Sequence, residues 1–456
     1  MAGIGFRLQK VVARGTFLHA ATGYCCAAIL TAGPVLSAML ALVLLSGATA
    51  AFLDHAEHAL LFTTIMYVSA LSLVVTGGLQ LVLSRYVADR FYLGDREGVA
   101  STCAGTLVSM IPIALLMLPF IILAPFELRY RLLVASLFLI LCLISLMMVF
   151  LSAARDYLRL VLVFASCHAL SYLAAIWLGR AHGLLGSLGG YVLGQSLCVS
   201  LLVSCVYLEF RSQTSVDFAF LLHGRRYWDL LLIGLLYNVG IWIDKVVHWS
   251  SQDAVVIGNF YRVSPRYDAP MVAAYVFTIP AAAVFLLHLE TNFEHYYQAF
   301  YRAIEKGGTL AVIVEAKRGM IRAVKDGLSA TVKMLCIVAL GTIILAPKLA
   351  AAAALSPDDV PLLRLGVLAA SSQFLLLAST LLLLYLDERG AVLLVVAVFA
   401  ASNAGLTMAA MGLGLGLHGL SYLVAATLGA VLGMVLLKNR LGRLEYRTFM
   451  LQPVGS

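Results

Sequence analysis

The sequence predicts an all-α polytopic membrane protein, with about twelve transmembrane helices in two six-helix halves around a central cavity. Of its 456 residues, 62% are hydrophobic and only 12% are charged, whereas a soluble domain carries about 25% charged residues. Apolar runs of about 20 residues, long enough to cross a bilayer, recur along the whole chain. A polar stretch separates them into two sets of six, a layout common among transporters.

The apolar runs define twelve candidate spans, at residues 17–48, 60–83, 99–123, 132–154, 158–179, 184–208, 228–249, 270–289, 329–348, 365–386, 391–411 and 417–437. The first is too long and too Ala-rich for a cleaved signal peptide, and Gly33-Pro34 predicts a kink within it. We therefore divide the chain into a first half at 1–210, a connection at 211–227, a second half at 228–440 that includes an amphipathic segment at 291–333, and a tail at 441–456.

Basic residues predict the orientation. Of the 31 Lys and Arg residues, 23 lie in segments that face the cytoplasm if the N-terminus does. The positive-inside rule then places both termini, the connection at 211–227 and the segment at 291–333 in the cytoplasm. This asymmetry explains the net charge of +8, so the charge does not indicate binding to nucleic acid.

Motifs of enzyme chemistry are missing from the sequence. It contains no P-loop, HExxH, GxSxG or strand-associated GxGxxG motif, and its eight cysteines all lie in predicted spans without CxxC spacing. We therefore expect no catalytic residues, cofactor, metal or disulfide framework. The cluster DHAEH, Asp54 to His58, loosely resembles the acidic first-loop position of polytopic glycosyltransferases and could bind a metal, but short loops of mixed charge are usually just solvated.

The stretch GIWIDKVVHW places charged residues inside the seventh span, with Asp244 about 24 Å along the helix. Helical spacing puts Asn238, Trp242, Lys245 and Trp249 on one stripe, with Tyr237, Asp244 and His248 on its flank. In one interpretation Lys245 reaches the outer headgroups and Trp249 belongs to the aromatic belt. In the other, the stripe lines a hydrated substrate path, because burying Asp244 as well is costly.

Other ionisable residues are few within the membrane. Glu290 is a possible companion on the substrate path, followed by Asn292, Glu294 and His295 at the cytoplasmic end of span eight. Spans one to six carry no Asp or Glu in their apolar cores, and their main ionisable candidates are His19 and His168. A lone histidine in a helix bundle is usually packed and hydrogen-bonded, so we expect the charged site in the second half.

Two further segments have charge patterns on the predicted cytoplasmic side. Residues 310–328 form an amphipathic helix in which Lys317, Arg318, Arg322 and Lys325 lie among the polar positions. It could lie in the lipid headgroups or dock a cytoplasmic partner. The cluster at Arg85, Asp89 and Arg90 is expected to stabilise a helix end, and could also act as a gate latch or a partner contact.

Four stretches resemble the PelG family of exopolysaccharide exporters: GPVLSAML, SRYVADRFYLGD, YNVGIWIDKVVHW and FEHYYQAFYRAIEKGGTLAVI. That family belongs to the superfamily of multidrug, lipid-linked oligosaccharide and polysaccharide flippases, the MOP superfamily, which includes the MATE transporters. The resemblance implies a bacterial inner-membrane exporter of a polymer rich in N-acetylgalactosamine. It also implies a cytoplasmic glycosyltransferase and membrane-anchored regulatory subunits as partners, one of which binds cyclic di-GMP.

Alternatives within the superfamily are a lipid-linked oligosaccharide flippase and a cation-coupled multidrug exporter. Multidrug exporters of this architecture typically depend on an acid in the first span, and this chain has none between Phe17 and Phe52. Flippases for pyrophosphate-linked lipids tend to place basic residues in the cavity, where only Lys245 is well placed here. A polytopic glycosyltransferase is a more distant alternative.

Overall fold

The structure is a computed structural model that describes residues 33–34, 36–154, 157–210, 216–353, 355–414 and 419–450. Within these residues, ten helices are long and apolar enough to cross a membrane, and a shorter apolar helix lies at Leu36–Thr49. The predicted spans five and six share one of the ten, which is broken at His182 and Gly183. The prediction of an all-α membrane protein with about twelve spans is therefore confirmed.

Contacts divide the described chain into two compact units, at residues 33–265 and 266–450. The first unit contains α1 Leu36–Thr49, α2 His55–Tyr92, α3 Arg96–Ala114, α4 Leu118–Leu123, α5 Leu128–Ala154, α6 Tyr157–Glu209, α7 Ala219–Arg226, α8 Trp228–Trp249, and strands β1 Val255–Ile257 and β2 Tyr261–Val263. A 3-10 turn at Leu115–Met117 joins α3 to α4. The unit boundary groups α8 with the first unit, although the sequence suggests that this helix opens the second half.

The second unit consists of helices α9 Pro265–Val276, α10 Ile279–His288, α11 Glu294–Glu305, α12 Leu310–Ala352, α13 Val360–Tyr385, α14 Arg389–Gly412, α15 Leu420–Gly442 and α16 Leu444–Met450. A π-helical turn at Leu289–Phe293 joins α10 to α11. Helix α15 packs against both α13 and α14, and α12 packs against α10, α11 and α13.

Helix α2 organises the first unit, because it packs against both α5 and α8 while α5 also packs against α6. The core between these helices contains fully buried side chains, among them Leu61, Leu83, Leu137 and Phe138. Helix α6 breaks where Gly183 adopts a φ of +61°. Such a φ is readily accessible to glycine, so the break falls between the two apolar runs that predict separate spans.

Helix α12 is 43 residues long and contains both the amphipathic stretch and the ninth predicted span. Two glycines allow it to pack closely against the preceding helices, because a Cβ at Gly319 would overlap the Tyr296 ring and one at Gly327 would lie 3.0 Å from the Cβ of His288. The amphipathic stretch is thus continuous with the apolar span, and it is not a separate surface helix.

Lys317 differs from the sequence-based expectation for this stretch. It is 8% exposed, and its Nζ donates to the Glu445 carboxylate at 2.9 Å and to the carbonyl of Gly442 at 3.0 Å. The sequence places Lys317 on the polar face of an amphipathic helix, but in the structure α15 and α16 cover that position. Residues of the predicted tail therefore pack on α12.

Candidate functional site

The candidate site lies on α8, which begins and ends at the residues that the sequence predicts. Three glycines bring α8 very close to α2. A Cβ at Gly77 would lie 2.8 Å from the carbonyl oxygen of Gly234, and one at Gly78 would lie 2.5 Å from that of Leu231. Small residues permit such a close approach between membrane helices, so the position of α8 is fixed by its contact with α2.

Asp244 and Lys245 form an ion pair in the interior of the first unit. The side chains are 0% and 3% exposed, respectively, and Nζ of Lys245 lies 3.4 Å from Oδ2 of Asp244. The same Nζ donates to the carbonyl of Ile241 at 3.1 Å and lies 5.5 Å from the centre of the Trp242 ring. Because Lys245 is buried, the interpretation in which it reaches the outer headgroups does not fit the structure.

The other predicted residues of α8 surround this pair at different depths. Asn238 and Trp242 are half-buried, whereas His248 and Trp249 are buried. The side-chain amide of Asn238 donates to the carbonyl of Gly234 at 2.8 Å, and the Trp242 and Trp249 rings lie 6.4 Å apart. The structure therefore brings six of the seven predicted substrate-path residues together on one helix.

Aromatic side chains connect the outer end of α8 to the β-hairpin that follows it. The Trp249 ring stacks on Tyr67 of α2 at 4.5 Å, and Tyr67 lies 5.0 Å from Tyr261 of β2. The Tyr67 hydroxyl also donates to the carbonyl of Arg262, and burial raises the pKa of the Tyr261 phenol. These contacts hold the hairpin against the end of α2 that lies near the buried ion pair.

Glu290, the seventh predicted residue, belongs to the second unit. It is half-buried in the π-helical turn between α10 and α11, and turns of this kind are frequent at functional sites. Of the polar residues that follow, Asn292 and His295 are exposed, and Glu294 accepts a hydrogen bond from Gln298 at 3.0 Å. A role of Glu290 on the substrate path stays a prediction.

The charged cluster at the far end of α2 ties the connection between α6 and α8 to the first unit. The guanidinium of Arg90 donates to Asp217 at 2.9 Å and to Asp95, and the Tyr86 hydroxyl donates to Asp217 at 2.8 Å. The backbone N–H of Asp217 also donates to the carbonyl of Ser101 at 3.1 Å. We call Tyr86, Arg90, Asp95 and Asp217 the Arg90 cluster.

The predicted pair of Arg85 and Asp89 lies beside the Arg90 cluster. Nε of Arg85 lies 3.3 Å from Oδ1 of Asp89, and Nε2 of His223 on α7 lies 3.3 Å from Oδ2 of the same carboxylate. Sequence reasoning missed Asp217 and His223, although both lie in the polar connection that it identified. The available signal was that these two residues flank the short apolar run FAFLL at 218–222.

Asp54, His58 and His168 have structural partners. Asp54 begins α2 by accepting a hydrogen bond from the N–H of Glu57 at 2.7 Å, and Nε2 of His58 lies 3.1 Å from the carbonyl of Ser46. His168 is buried 2.9 Å from the hydroxyl of Ser37, whereas His19 lies outside the described residues. Across the part of the chain that the structure describes, no group of three His, Cys, Asp or Glu side chains could hold a metal ion.

A family profile described as "PelG: Putative exopolysaccharide Exporter (EPS-E)" matches residues 1–449. The chain belongs to the PelG family. No curated protein matches the chain. Membership in an exporter family, on a fold shared with known transporters, identifies a membrane transporter rather than an enzyme.

Solved structures show the same fold at low sequence identity. A MOP superfamily transporter from Pyrococcus furiosus Vc1, whose description reports a binding pocket of reverse polarity, matches with a TM-score of 0.61 and 14% identity over 92% of this chain and 96% of that chain. An outward-facing multidrug resistance MATE family transporter matches with a TM-score of 0.63 and 13% identity, over the same shares of the two chains. A crystal structure of MATE in the bent conformation matches with a TM-score of 0.65 and 15% identity, again over 92% of this chain and 96% of that chain. At these identities the comparisons establish the MATE/MOP fold alone.

Proposed function

We propose that this chain exports a Pel-type exopolysaccharide, rich in N-acetylgalactosamine, from the cytoplasm to the periplasm of a bacterium, where the polymer builds a biofilm matrix. The chain crosses the inner membrane with both termini in the cytoplasm, in accordance with its distribution of Lys and Arg. The observation that carries the proposal is the buried pair of Asp244 and Lys245 on α8, in a member of an exopolysaccharide exporter family.

Stability alone is a poor explanation for this pair. A charge at the centre of a membrane helix costs about 2.5–3.5 kcal/mol on insertion scales, and Asp244 lies between the centre and the outer end of α8. Apolar side chains of similar volume often stabilise a protein as well as a buried ion pair does. Ionisable residues within membrane spans therefore mark substrate or ion pathways by default. The completely buried Asp244 and the nearly buried Lys245 satisfy that description.

The chemistry of the α8 residues suits an amino-sugar polymer. The carboxylate of Asp244 accepts hydrogen bonds from sugar hydroxyls and attracts the ammonium group of a deacetylated residue. Lys245 donates to hydroxyl and acetyl oxygens, and the half-buried Trp242 offers an aromatic face to a sugar ring. Asn238 and His248 supply further hydrogen-bonding groups, while Trp249 fixes the outer end of α8 through its contact with Tyr67. In this proposal Glu290 is a further residue on the substrate path.

The synthesis machinery is the second part of the proposal. A cytoplasmic glycosyltransferase and membrane-anchored regulatory subunits, one of which binds cyclic di-GMP, deliver the polymer to the exporter. The surface available to them is the amphipathic segment at 291–333, which includes α11 and the first part of α12. Arg302, Arg318 and Arg322 are exposed there, and Leu310 and Val312 are 67% and 55% exposed. The Arg90 cluster and the Arg85–Asp89 pair act in the same proposal as a cytoplasmic gate latch or a further partner contact.

Secretion of polymer by cells that carry Asp244→Asn or Lys245→Met tests the function. Galactosamine in the secreted polymer is measured after acid hydrolysis, and the membrane level of each variant is measured in parallel. Matched controls are Asp358→Asn and Lys348→Met, which neutralise exposed residues of the same types in the second unit. The proposal expects at least a tenfold loss of secretion in the α8 variants at a normal membrane level, and secretion close to wild type in the controls.

Two outcomes would count against the proposal. Normal secretion by both α8 variants would remove the pair from the substrate path. Loss of an unrelated exported glycan, with the galactosamine polymer unchanged, would assign the chain to a different substrate.

A further inference from the structure

An apolar groove opens on the first unit between α2, α3 and the start of α7. It has a volume of about 490 Å³ and is lined by Leu79, Val108, Ile111, Pro112, Phe218 and Leu221, among others. This volume falls within the range of small-ligand pockets, which is about 300–1,000 Å³. None of the residues that we place on the substrate path lines the groove, so its presence needs a separate explanation.

The groove follows from a break in α3. Pro112 lies inside this helix, and α3 ends two residues later in a 3-10 turn. Proline has no N–H and its ring disturbs the preceding turn, and Pro112 itself lines the groove. Ser109 also lines the groove, but its hydroxyl donates to the carbonyl of Thr106 at 2.7 Å. Because this hydrogen bond lies within α3, the groove wall remains largely apolar.

Helix α7 forms one end of the groove and carries a basic face. Leu221 lines the groove, and Arg225 follows it one helical turn later on the same side of α7. Both arginines of the last turn, Arg225 and Arg226, are exposed. Neither forms an ion pair with any residue that the structure describes. The nearby carboxylate of Asp89 is already bound by Arg85 and His223, and that of Asp229 accepts the N–H of Leu230.

The position at which the start of α7 contacts α3 indicates what occupies the groove. Asp217, two residues before α7, bonds to Ser101, which is about 7–8 Å along α3 from its first residue by the helical rise. The apolar side chains of Phe218, Leu221 and Leu222 are 43%, 45% and 68% exposed. An apolar groove inside a membrane-spanning region that ends in exposed arginines fits a hydrocarbon chain with an anionic headgroup.

We propose that this groove is a binding site for an anionic phospholipid, which places an acyl chain against Val108, Ile111 and Leu221 and its phosphate beside Arg225 and Arg226. The site is independent of the polymer path proposed above. Because α7 is joined to the Arg90 cluster through Asp217, the bound lipid holds the connection between α6 and α8 against the inner leaflet. Each arginine near a charged membrane surface contributes about 1 kcal/mol to binding of anionic lipid.

Photo-crosslinking tests this site in the full-length protein. p-Benzoylphenylalanine replaces Leu221, and the protein is irradiated in nanodiscs that contain either phosphatidylglycerol or phosphatidylcholine. The same crosslinker at Ile344, which is 74% exposed on α12, reports contact with bulk lipid. We expect intact-mass adducts of phosphatidylglycerol at position 221, several-fold above phosphatidylcholine, and no such preference at position 344.

Charge variants complete the test. Arg225→Gln and Arg226→Gln should each reduce the phosphatidylglycerol adduct about fivefold, as 1 kcal/mol implies. Arg129→Gln is the matched control, because the Arg129 side chain is 83% exposed at the start of α5, and it should leave the adduct unchanged. Equal labelling by the two lipids, equal labelling at the two positions, or an adduct with a polypeptide in native membranes would each overturn the proposal.

Discussion

The carboxylate of Asp217 lies 2.9 Å from the guanidinium of Arg90, so the polar connection after α6 is fixed to the end of α2. Both side chains are less than 30% exposed, and the Tyr86 hydroxyl donates to the same carboxylate oxygen. The described part of the connection, residues 216–227, is therefore docked on the first unit.

Removal of the Arg90–Asp217 contact should release the connection. A partly buried, charge-assisted hydrogen bond contributes about 1.5–3 kcal/mol, so we expect Asp217→Asn to accelerate tryptic cleavage at Arg225 and Arg226 at least fivefold in inverted membrane vesicles. Glu315→Gln is the control, because it removes an exposed ion pair with Arg322 in the second unit. Unchanged cleavage in Asp217→Asn would mean that other contacts hold the connection.

The close contact between α2 and α8 should tolerate no larger side chain. Gly78→Val places a branched side chain against the carbonyl oxygen of Leu231, which lies only 2.5 Å from the point that a Cβ at Gly78 would occupy. Overpacking costs about 1–3 kcal/mol, so we expect a thermal midpoint several degrees lower in detergent. Gly341→Val, where no atom lies within 4 Å of the added Cβ, should change the midpoint much less.

The Asp244–Lys245 pair should behave as a coupled unit in stability measurements. Loss of one partner leaves a buried charge and costs about 3–5 kcal/mol. The double variant Asp244→Asn/Lys245→Met should cost less than the sum of the single variants, because no charge is then left without its counterpart. Unfolding in detergent of the four proteins measures this coupling, and additive effects would show that the two residues do not interact.

The double variant also separates stability from transport. If it recovers a wild-type membrane level yet fails to secrete polymer, the charges are needed for export itself. If secretion recovers together with the protein level, the pair stabilises the fold and the substrate path lies elsewhere.

Acid should weaken the turn between α2 and α3. The backbone N–H of Gly98 and the side chain of Arg90 hold the pKa of the Asp95 carboxyl below its usual value, which is about 3.9 in an unfolded chain. This stabilisation is complete above about pH 5 and is lost as the pH falls through the folded-state pKa. The thermal midpoint of Asp95→Asn should therefore lie below that of wild type at pH 6, and the difference between the two midpoints should shrink as the pH is lowered to 3. A difference that stays constant would contradict the assignment.

The sequence predicts the helices well because lipid imposes a simple rule, in which each spanning segment needs about 20 apolar residues. The bounds of α8 and the unusual position of Asp244 follow from that rule. The β-hairpin at Val255–Val263 was missed, although a run of β-branched residues with Gly258-Asn259 between the strands is a recognised hairpin signal. Gly258 and Asn259, the first two of the three turn residues, have positive φ in the structure.

Long-range contacts account for the remaining differences. Lys317 is basic and falls among polar positions, so its pattern alone indicates an exposed side chain, and only the later segment with Glu445 changes that result. The grouping of α8 with α2 depends on Gly77, Gly78 and Gly234, which hydropathy does not distinguish from other small residues. The periodicity of a sequence indicates which face of a single helix is buried, whereas the burial of Lys317 and the packing of α8 on α2 depend on contacts between two helices.

The unbroken helix α12 has a mechanical consequence. Its 43 residues span about 65 Å at 1.5 Å per residue, about twice the thickness of a hydrocarbon core. Leu310, at the amphipathic end of α12, lies about 40 Å along the helix from the middle of the apolar part at 329–348. A tilt of about 10° would displace that end by about 7 Å, because a rod of this length multiplies small rotations. The length of α12 therefore ties the position of Leu310 to the angle at which the apolar part of the same helix crosses the bilayer.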